Sequence, residues 1–363
     1  VSQPLRYGVI GTGMMGVEHI ANIGHLDDAV VTAVADPHAE SLDWAQLAVG
    51  LDEPLARFES YHDLLASQLC DAVVIATPNH THHHVLADVL ATDLHVMVEK
   101  PLCTTVDDCR TVMAIAAERA ASVPRRCVWM GLEYRYMPPT QRLVGEVRGG
   151  GLGDVRMVSI REHRFPFLPK VGNWNRFSRN TGGTLVEKCC HFFDLMNLLV
   201  GQRPVRVMAS GGQDVNHLDE CYDGERPDIL DNAYVIVDYP DGVRAALDLC
   251  MFAEATKNEQ EISVVGRRGK AEAMVTEGVV RVGRRAGGIG SFTESPATDA
   301  AVRHVGLHHG ASYLEHVDFA AAIRDGRPAA VTLEDGLWAV AVGQAAHRSI
   351  ELGRPVLMTE LGL

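Results

Sequence analysis

No uncharged apolar stretch of this 363-residue chain reaches the length needed to cross a bilayer, so no membrane-spanning helix is expected. The opening residues Val1-Ser2-Gln3-Pro4-Leu5-Arg6 lack the long apolar core of a secretory signal. A disulfide framework is missing as well: the eight cysteines include no Cys-x-x-Cys pair, and only Cys189 and Cys190 are neighbours. Reduced, mostly buried thiols in a cytoplasmic protein are therefore expected. Basic clusters are also lacking. Residues 281–285, Arg125-Arg126 and Arg267-Arg268 are short and scattered in a chain of net charge −14, which argues against nucleic acid or an anionic membrane as partner. There is no internal repeat and no low-complexity tract.

What is present describes a globular protein. Hydrophobic residues make up 47% and charged residues 22%, enough for large cores. The length exceeds that of one ordinary core, so two domains are expected. The first third alternates strand and helix patterns. Apolar runs lie at 7–10, 30–35, 71–77 and 95–99, with a short strand near Arg57-Phe58 and a last strand over 127–134. Helical patterns fall at 39–49, 61–67, 81–91 and 105–121. Such alternation implies a doubly wound parallel sheet covered by helices on both faces. After about residue 150 the pattern changes to longer, half-polar strands at 155–165, 205–211, 233–239, 243–252 and 261–265. Tyr239-Pro240-Asp241-Gly242 reads as a hairpin turn between two of them, so this sheet is expected to be mainly antiparallel. A helix is expected over 184–200, a mobile loop over 285–309, and two amphipathic helices over 311–325 and 334–352.

The clearest motif is Gly11-Thr12-Gly13-Met14-Met15-Gly16, which follows an apolar run and opens a helical pattern; Asp36 stands twenty positions past its last glycine. A lone G-x-G-x-x-G is weak evidence, but this context is the one a dinucleotide fold requires. Gly11 permits a tight turn, Gly13 lets a pyrophosphate approach the backbone, and Gly16 lets the helix pack close to the strand. The helix N-terminus offers N–H groups and partial positive charge to the phosphates. Asp36 can accept from both ribose hydroxyls and repel a 2′-phosphate, and Pro37-His38-Ala39 bring no arginine to neutralise one. NAD is therefore favoured over NADP.

Three further clusters can carry chemistry. Ala76-Thr77-Pro78-Asn79-His80 ends a strand, where doubly wound sheets bind ligands, and can line the cofactor. His82, His83 and His84 follow, and His80 and His84 could share a helical face. No cysteine or acid completes a ligand set, so no metal is expected. Glu99-Lys100-Pro101 ends another strand. Its lysine can stabilise a developing alkoxide, or equally be a surface cation paired to its neighbouring glutamate. In the third cluster, Gly182 to Asp194, a helix would put Glu187 and His191 on one face, where the carboxylate could orient the ring and strengthen it as a base. Asp194 stands three residues beyond as a possible support. Alone, such a pair is more often structural.

Together these motifs, in this order and spacing, resemble the Gfo/Idh/MocA family of NAD(P)-dependent oxidoreductases over nearly the whole chain. The resemblance implies a Rossmann domain, 1–134, followed by a substrate-binding and oligomerisation α/β domain, 135–363. Its C-terminal helices are free to pack back on the first domain. It also implies an open, mainly antiparallel sheet whose bare face is buried in a homodimer or homotetramer. Lys100 matches the family's active-site lysine and His191 its catalytic histidine. Glu187 stands where many members have an aspartate that contacts substrate or the histidine. Cys189 replaces a common glycine, and Lys188 adds a charge. Tyr134 and Arg135 match a stretch along the pocket floor; Trp174, Asn175 and Arg176 match a variable substrate loop, although packing explains them equally well.

The expected reaction oxidises a secondary ring hydroxyl of a cyclitol or sugar. His191 takes the proton, Lys100 steadies the alkoxide, Glu187 holds the histidine, and hydride passes to nicotinamide C4. Two rivals remain at this point. One is an NAD-recycling lyase or glycosidase working through transient oxidation; the other is a non-catalytic NAD-binding regulator.

Overall fold

The apolar runs of the first third become the strands of one parallel sheet: β1 (Leu5–Ile10), β2 (Ala29–Ala35), β3 (Ala56–Phe58), β4 (Ala72–Ile75), β5 (His95–Glu99) and β6 (Val128–Gly131). The computed structural model describes residues 3–123 and 125–363. Val1 and Ser2, with which the expected first domain begins, and Pro124 lie outside the described residues. Strand order is β3-β2-β1-β4-β5-β6, with each neighbouring pair parallel. Val9, Val73, Val74, Val96 and Val98 are fully buried, which is why these strands read as continuous apolar runs rather than alternating ones. The order reverses between β1 and β4, so the ligand crevice of such a sheet lies beyond the carboxyl ends of those two strands.

The connecting helices are α1 (Met14–Gly24), α2 (Ala39–Val49), α3 (Tyr61–Ala66), α4 (His82–Leu90) and α5 (Val106–Ala120). The start of α5 is set by the Thr105 hydroxyl, which accepts from the Asp108 N–H at 3.2 Å, with Asp107 and Asp108 in the first turn. Two expectations fail here. Residues 79–81 form a separate 3-10 turn before α4, so His80 and His84 do not lie on one helix. The strand expected over 127–134 stops at Gly131, opposite the last residue of β5, Glu99; Glu133–Tyr136 then form a 3-10 turn.

The chain divides into two compact units. The first comprises Val1–Glu133, Lys170–Trp174 and Ala301–Leu337; the second comprises Tyr134–Pro169, Asn175–Ala300 and Trp338–Leu363. The second unit is built on a nine-stranded sheet: β7 (Val155–His163), β8 (Arg206–Gly212), β9 (Asn232–Asp238), β10 (Arg244–Cys250), β11 (Gln260–Gly266), β12 (Gly269–Met274), β13 (Val279–Arg284), β14 (Phe292–Pro296) and β15 (Val356–Leu357). Strand order is β14-β13-β12-β11-β7-β10-β9-β8-β15, antiparallel except between β7 and β10. Residues 239–242 do make the β9–β10 hairpin. The expected mobile loop over 285–309 instead contains β14, an edge strand laddered to β13 and pinned by Arg281 to Glu294 at 2.6 Å. Its side chains are nearly all exposed, so it carries no hydrophobic alternation to announce it.

Burial alternates along these strands. Ile160, Val235, Val237, Leu247, Leu249, Ile262 and Val264 point to a covered face, on which α6 (Pro138–Arg148) packs against β12 and α9 (Cys190–Val200) against β7; α7 (Ser178–Thr181) contacts α8 (Thr184–Glu187), which contacts α9. The opposite face carries Met157, Met208, Tyr234 and Ile236, between 47% and 67% exposed, with Met208 directly opposite Ile236. Among the described residues, no helix is long and apolar enough to cross a membrane.

Candidate functional site

At the switch point of the first sheet the glycines do what their spacing suggests. Gly11 has a left-handed φ of 88°, and a Cβ on it would lie 2.7 Å from the Ala76 carbonyl, so the turn after β1 rests directly on the turn after β4. A Cβ on Gly16 would meet the Gly11 carbonyl oxygen at 2.0 Å, which fixes how closely α1 approaches the turn. Above Gly13 there is open space for 4 Å, and no side chain caps the N-terminus of α1. That is the cradle a pyrophosphate needs. The Thr12 hydroxyl is fully buried with no hydrogen-bond partner among the described residues. Asp36 is buried at the end of β2, accepting from the Thr12 N–H at 2.8 Å and the His38 N–H at 2.9 Å, with the His38 ring at 3.1 Å. Acceptor capacity remains on both oxygens for a ribose diol. Met14 is exposed and Met15 half-buried at the helix start. The residues present thus fit a dinucleotide.

The 76–80 turn is braced by the Thr81 hydroxyl, 2.7 Å from both the Thr77 hydroxyl and the Pro78 carbonyl. Asn79 is buried, and its amide nitrogen has no partner among the described residues. His80 is exposed, with Trp174 edge-on at 6.4 Å. His82, which the sequence offered only as a metal candidate, is fully buried. Its two ring nitrogens lie 2.7 Å from the Pro101 carbonyl and 3.0 Å from that of Thr77. One histidine therefore joins the turn after β4 to the turn after β5, and burial lowers its pKa against the pull of the two carbonyls.

Glu99 ends β5 and Lys100 follows it, and the peptide between Lys100 and Pro101 is cis. Glu99 is buried and its carboxylate accepts from the Lys100 N–H at 3.0 Å. Its other oxygen lies 2.9 Å from Nε2 of His19 on α1, whose Nδ1 lies 2.8 Å from Nε2 of His316 on the helix Ala311–Asp325. Burial pushes the Glu99 carboxyl up. The His19 hydrogen bond and the charges of His19 and Lys100 outweigh it and hold the group at about 2. His316 is driven well below the ordinary histidine range, first by burial and then by His19. Neither histidine was singled out from sequence.

The second unit gathers another set. The helix expected over 184–200 is interrupted at Lys188 and Cys189. The Thr184 carbonyl receives both the Lys188 N–H at 3.0 Å and the Cys189 N–H at 3.4 Å, a turn wider than an α-turn, and a new helix starts at Cys190. The four-residue spacing of Glu187 and His191 therefore no longer guarantees one helical face, although both are buried. His191 stacks face to face on Tyr134, ring centroids 3.9 Å apart and planes 9° from parallel. Asp194 accepts from the Arg135 guanidinium through both oxygens, at 2.6 and 2.5 Å. Lys188 is buried; its ammonium donates to the Tyr134 hydroxyl at 2.7 Å and lies 2.9 Å from the Glu162 carboxylate. Burial raises the Glu162 pKa and lowers that of Lys188, in each case against the pull of the ion pair.

The trio Trp174, Asn175 and Arg176 is divided. Trp174 belongs to the first unit, and Asn175 and Arg176 to the second. Asn175 donates to the Leu168 carbonyl at 3.0 Å, and its own amide oxygen is buried without a partner among the described residues. Arg176 is buried too. Its Nε donates to Glu220 at 2.8 Å, while Nη1 has no acceptor among the described residues. Glu220 also receives the Tyr222 hydroxyl at 2.9 Å and faces His217 at 2.8 Å; these bonds outweigh burial and keep its carboxyl below the usual range. Lys100 and His191 fall in different units.

The sequence model described as the NAD-binding Rossmann fold of the oxidoreductase family Gfo/Idh/MocA matches residues 5–124, and that of the family's C-terminal alpha/beta domain matches residues 145–358. A myo-inositol 2-dehydrogenase of Thermotoga maritima is 27% identical over 98% of this chain and 99% of its own. An inositol 2-dehydrogenase of Rhizobium meliloti is 26% identical over 97% and 98%. An Agrobacterium radiobacter oxidoreductase, solved in complex with NAD+, L-tartaric acid and magnesium, shares the fold with a TM-score of 0.81 at 16% identity, over 99% of this chain and 100% of its own.

Proposed function

The chain belongs to the Gfo/Idh/MocA family of NAD-binding oxidoreductases, and from that premise we propose that it oxidises a secondary ring hydroxyl of a cyclitol or sugar to a ketone. The observation that carries this reading is a juxtaposition within one sheet. The Gly11–Gly16 turn, the 76–80 turn and Lys100 directly follow β1, β4 and β5, which are adjacent strands. A lysine thereby belongs to the same sheet edge as the dinucleotide cradle. NAD supplies the hydride acceptor.

The protein's own residues do the rest. Gly11, Thr12, Gly13, Met14, Met15 and Gly16 give the phosphates backbone N–H groups. Asp36 holds the adenosine ribose and rejects a 2′-phosphate, and Thr77, Pro78, Asn79, His80 and Glu99 shape the turns beside it. Lys100 donates to the substrate oxygen and stabilises the negative charge that grows there. His191 accepts the hydroxyl proton, and Glu187 holds its ring. Tyr134, Arg135, Trp174, Asn175 and Arg176 recognise the remaining hydroxyls. The unspent Asn175 oxygen and Arg176 Nη1 support this assignment, since a buried polar group without a partner costs about 1–3 kcal/mol until a ligand satisfies it. In this reading residues 1–134 are the NAD-binding domain and 135–363 the substrate and oligomerisation domain. The eight cysteines, all free thiols, suit the cytoplasm.

A panel of inositols and aldoses, each mixed with NAD and the protein, tests the reaction. NADH is expected to accumulate with at least one polyol, with a lower KM for NAD than for NADP. Consumption of a sugar without accumulating NADH would transfer the assignment to a cofactor-recycling lyase. Preference for NADP at comparable turnover would overturn the role of Asp36.

The bare sheet face supports a homo-oligomer. Met157, Met208, Tyr234 and Ile236 are large and apolar, and their exposure on one face leaves a surface suited to a second copy. Met208→Lys with Ile236→Lys is expected to convert a dimer or tetramer to monomer in sedimentation velocity. An unchanged sedimentation coefficient would exclude this face.

A further inference from the structure

We propose that Lys188 is a positioning residue for His191: tied to Glu162, its ammonium holds the Tyr134 hydroxyl, and Tyr134 in turn fixes the His191 imidazole by stacking on it. This inference rests on the reading of His191 as the base. Its geometry, however, stands within the second unit alone. The chain of contacts runs from Glu162 to Lys188 at 2.9 Å, from Lys188 to the Tyr134 hydroxyl at 2.7 Å, and from the Tyr134 ring to the His191 ring at 3.9 Å. Phe192 closes the other side, with the Lys188 ammonium 5.6 Å from its ring and the Tyr134 ring 5.8 Å away. Behind Glu162 stands Arg164 at 3.8 Å, itself 3.3 Å from Glu259, so charges of alternating sign brace the anchor.

Three physical arguments separate a positioning device from ordinary packing. A buried Lys–Glu pair is often no better for stability than apolar side chains of the same volume, so stability alone does not account for it. The pair is also poorly placed for strengthening a helix, because Lys188 sits in the break between α8 and α9, where the widened turn carries its side chain into the interior. Finally, the ammonium ends on a hydroxyl whose ring covers the proposed base. A phenol anchored at its far end cannot slide or tilt, and a base misplaced by an ångström can lose about a hundredfold in rate.

Lys188→Met alone would strand the Glu162 carboxylate in the interior and could fail to fold. The test therefore uses Glu162→Gln with Lys188→Met, which removes both charges, and separately Tyr134→Phe, which keeps the ring and removes its anchor. Histidine-labelled protein reports the stack directly. The His191 ring resonance, identified by its loss in His191→Asn, is displaced in the wild type by the ring current of Tyr134. In the double variant that displacement is expected to collapse. Meanwhile kcat falls about tenfold or more, with KM for NAD and the thermal midpoint near wild type. Tyr134→Phe should show a smaller drop in kcat of the same kind. A folded double variant that keeps the displaced resonance, or that turns over at the wild-type rate, would overturn the proposal. Were the wild type to oxidise no polyol at all, the reading of the reaction would fall by itself, and the resonance would still decide whether Lys188 holds the ring.

Discussion

Lys100→Ala is expected to bind NAD with near wild-type affinity and to lose about a hundred- to a thousandfold in kcat, the usual effect of removing one donor from a developing oxyanion. The backbone argument for the first half is local. The Lys100 N–H is held by the Glu99 carboxylate at 3.0 Å, and His82 grips the next carbonyl at 2.7 Å, so the turn keeps its shape without the side chain. The phosphate cradle and Asp36 belong to the turns after β1 and β2, and they lose nothing. The second half follows from chemistry. An alkoxide forming on an aliphatic carbon is strongly basic, and the His19 charge is already taken up by Glu99, so Lys100 is the cation left to meet it. Fluorescence titration with NAD and steady-state kinetics with the best polyol of the panel measure the two halves separately. Near-normal turnover would remove Lys100 from the reaction. Loss of NAD binding would make the lysine mainly a cofactor residue.

The parts of the fold governed by local pattern were legible in the sequence. The helices Ala39–Val49 and Ala311–Asp325 and the strand His95–Glu99 have the bounds expected from periodicity and from a glycine or turn at each end. The fingerprint turn was legible because its function depends on backbone, and backbone freedom is written in glycines. Helix α6 was missed because it opens with two prolines and contains a glycine, so its residues read as a connection although proline at the first turn is well suited to a helix start. The break at Lys188 was hidden because residues 184–200 hold no glycine or proline to mark it; Lys188, which sits in the break, pairs with Glu162, a residue 26 positions earlier on another element. The polar clusters were hidden for the same reason. His19 meets Glu99 across 80 positions and His316 across 297, and no local spacing encodes such pairs. Sequence thus named the residues at the ends of strands and missed those that hold them.

Those supporting residues make the strongest prediction about stability. Glu99 is held at about 2 against an ordinary 4.5. A carboxyl depressed on folding stabilises the protein above its unfolded pKa, and the contribution is lost as pH falls from about 4.5 towards 2. At about 1.4 kcal/mol per unit, the effect is on the order of 3 kcal/mol. His19→Ala removes the hydrogen bond and charge that do most to overcome burial, leaving the carboxylate in the interior with the smaller pulls of Lys100 and His308. The cost expected at neutral pH is about 3–5 kcal/mol, typical of stranding one member of a buried pair. The pH dependence should also change sign. With burial now dominant, the Glu99 pKa rises above its unfolded value, so mild acidification relieves the variant where it weakens the wild type. Urea unfolding of both proteins between neutral pH and pH about 4 reads this out. Parallel curves for the two would mean that His19 does not hold the Glu99 charge. Converging curves, with the variant gaining on the wild type as acid is added, are the expected result. They would tie the integrity of the turn that carries Lys100 to a histidine on the first helix of the dinucleotide fold.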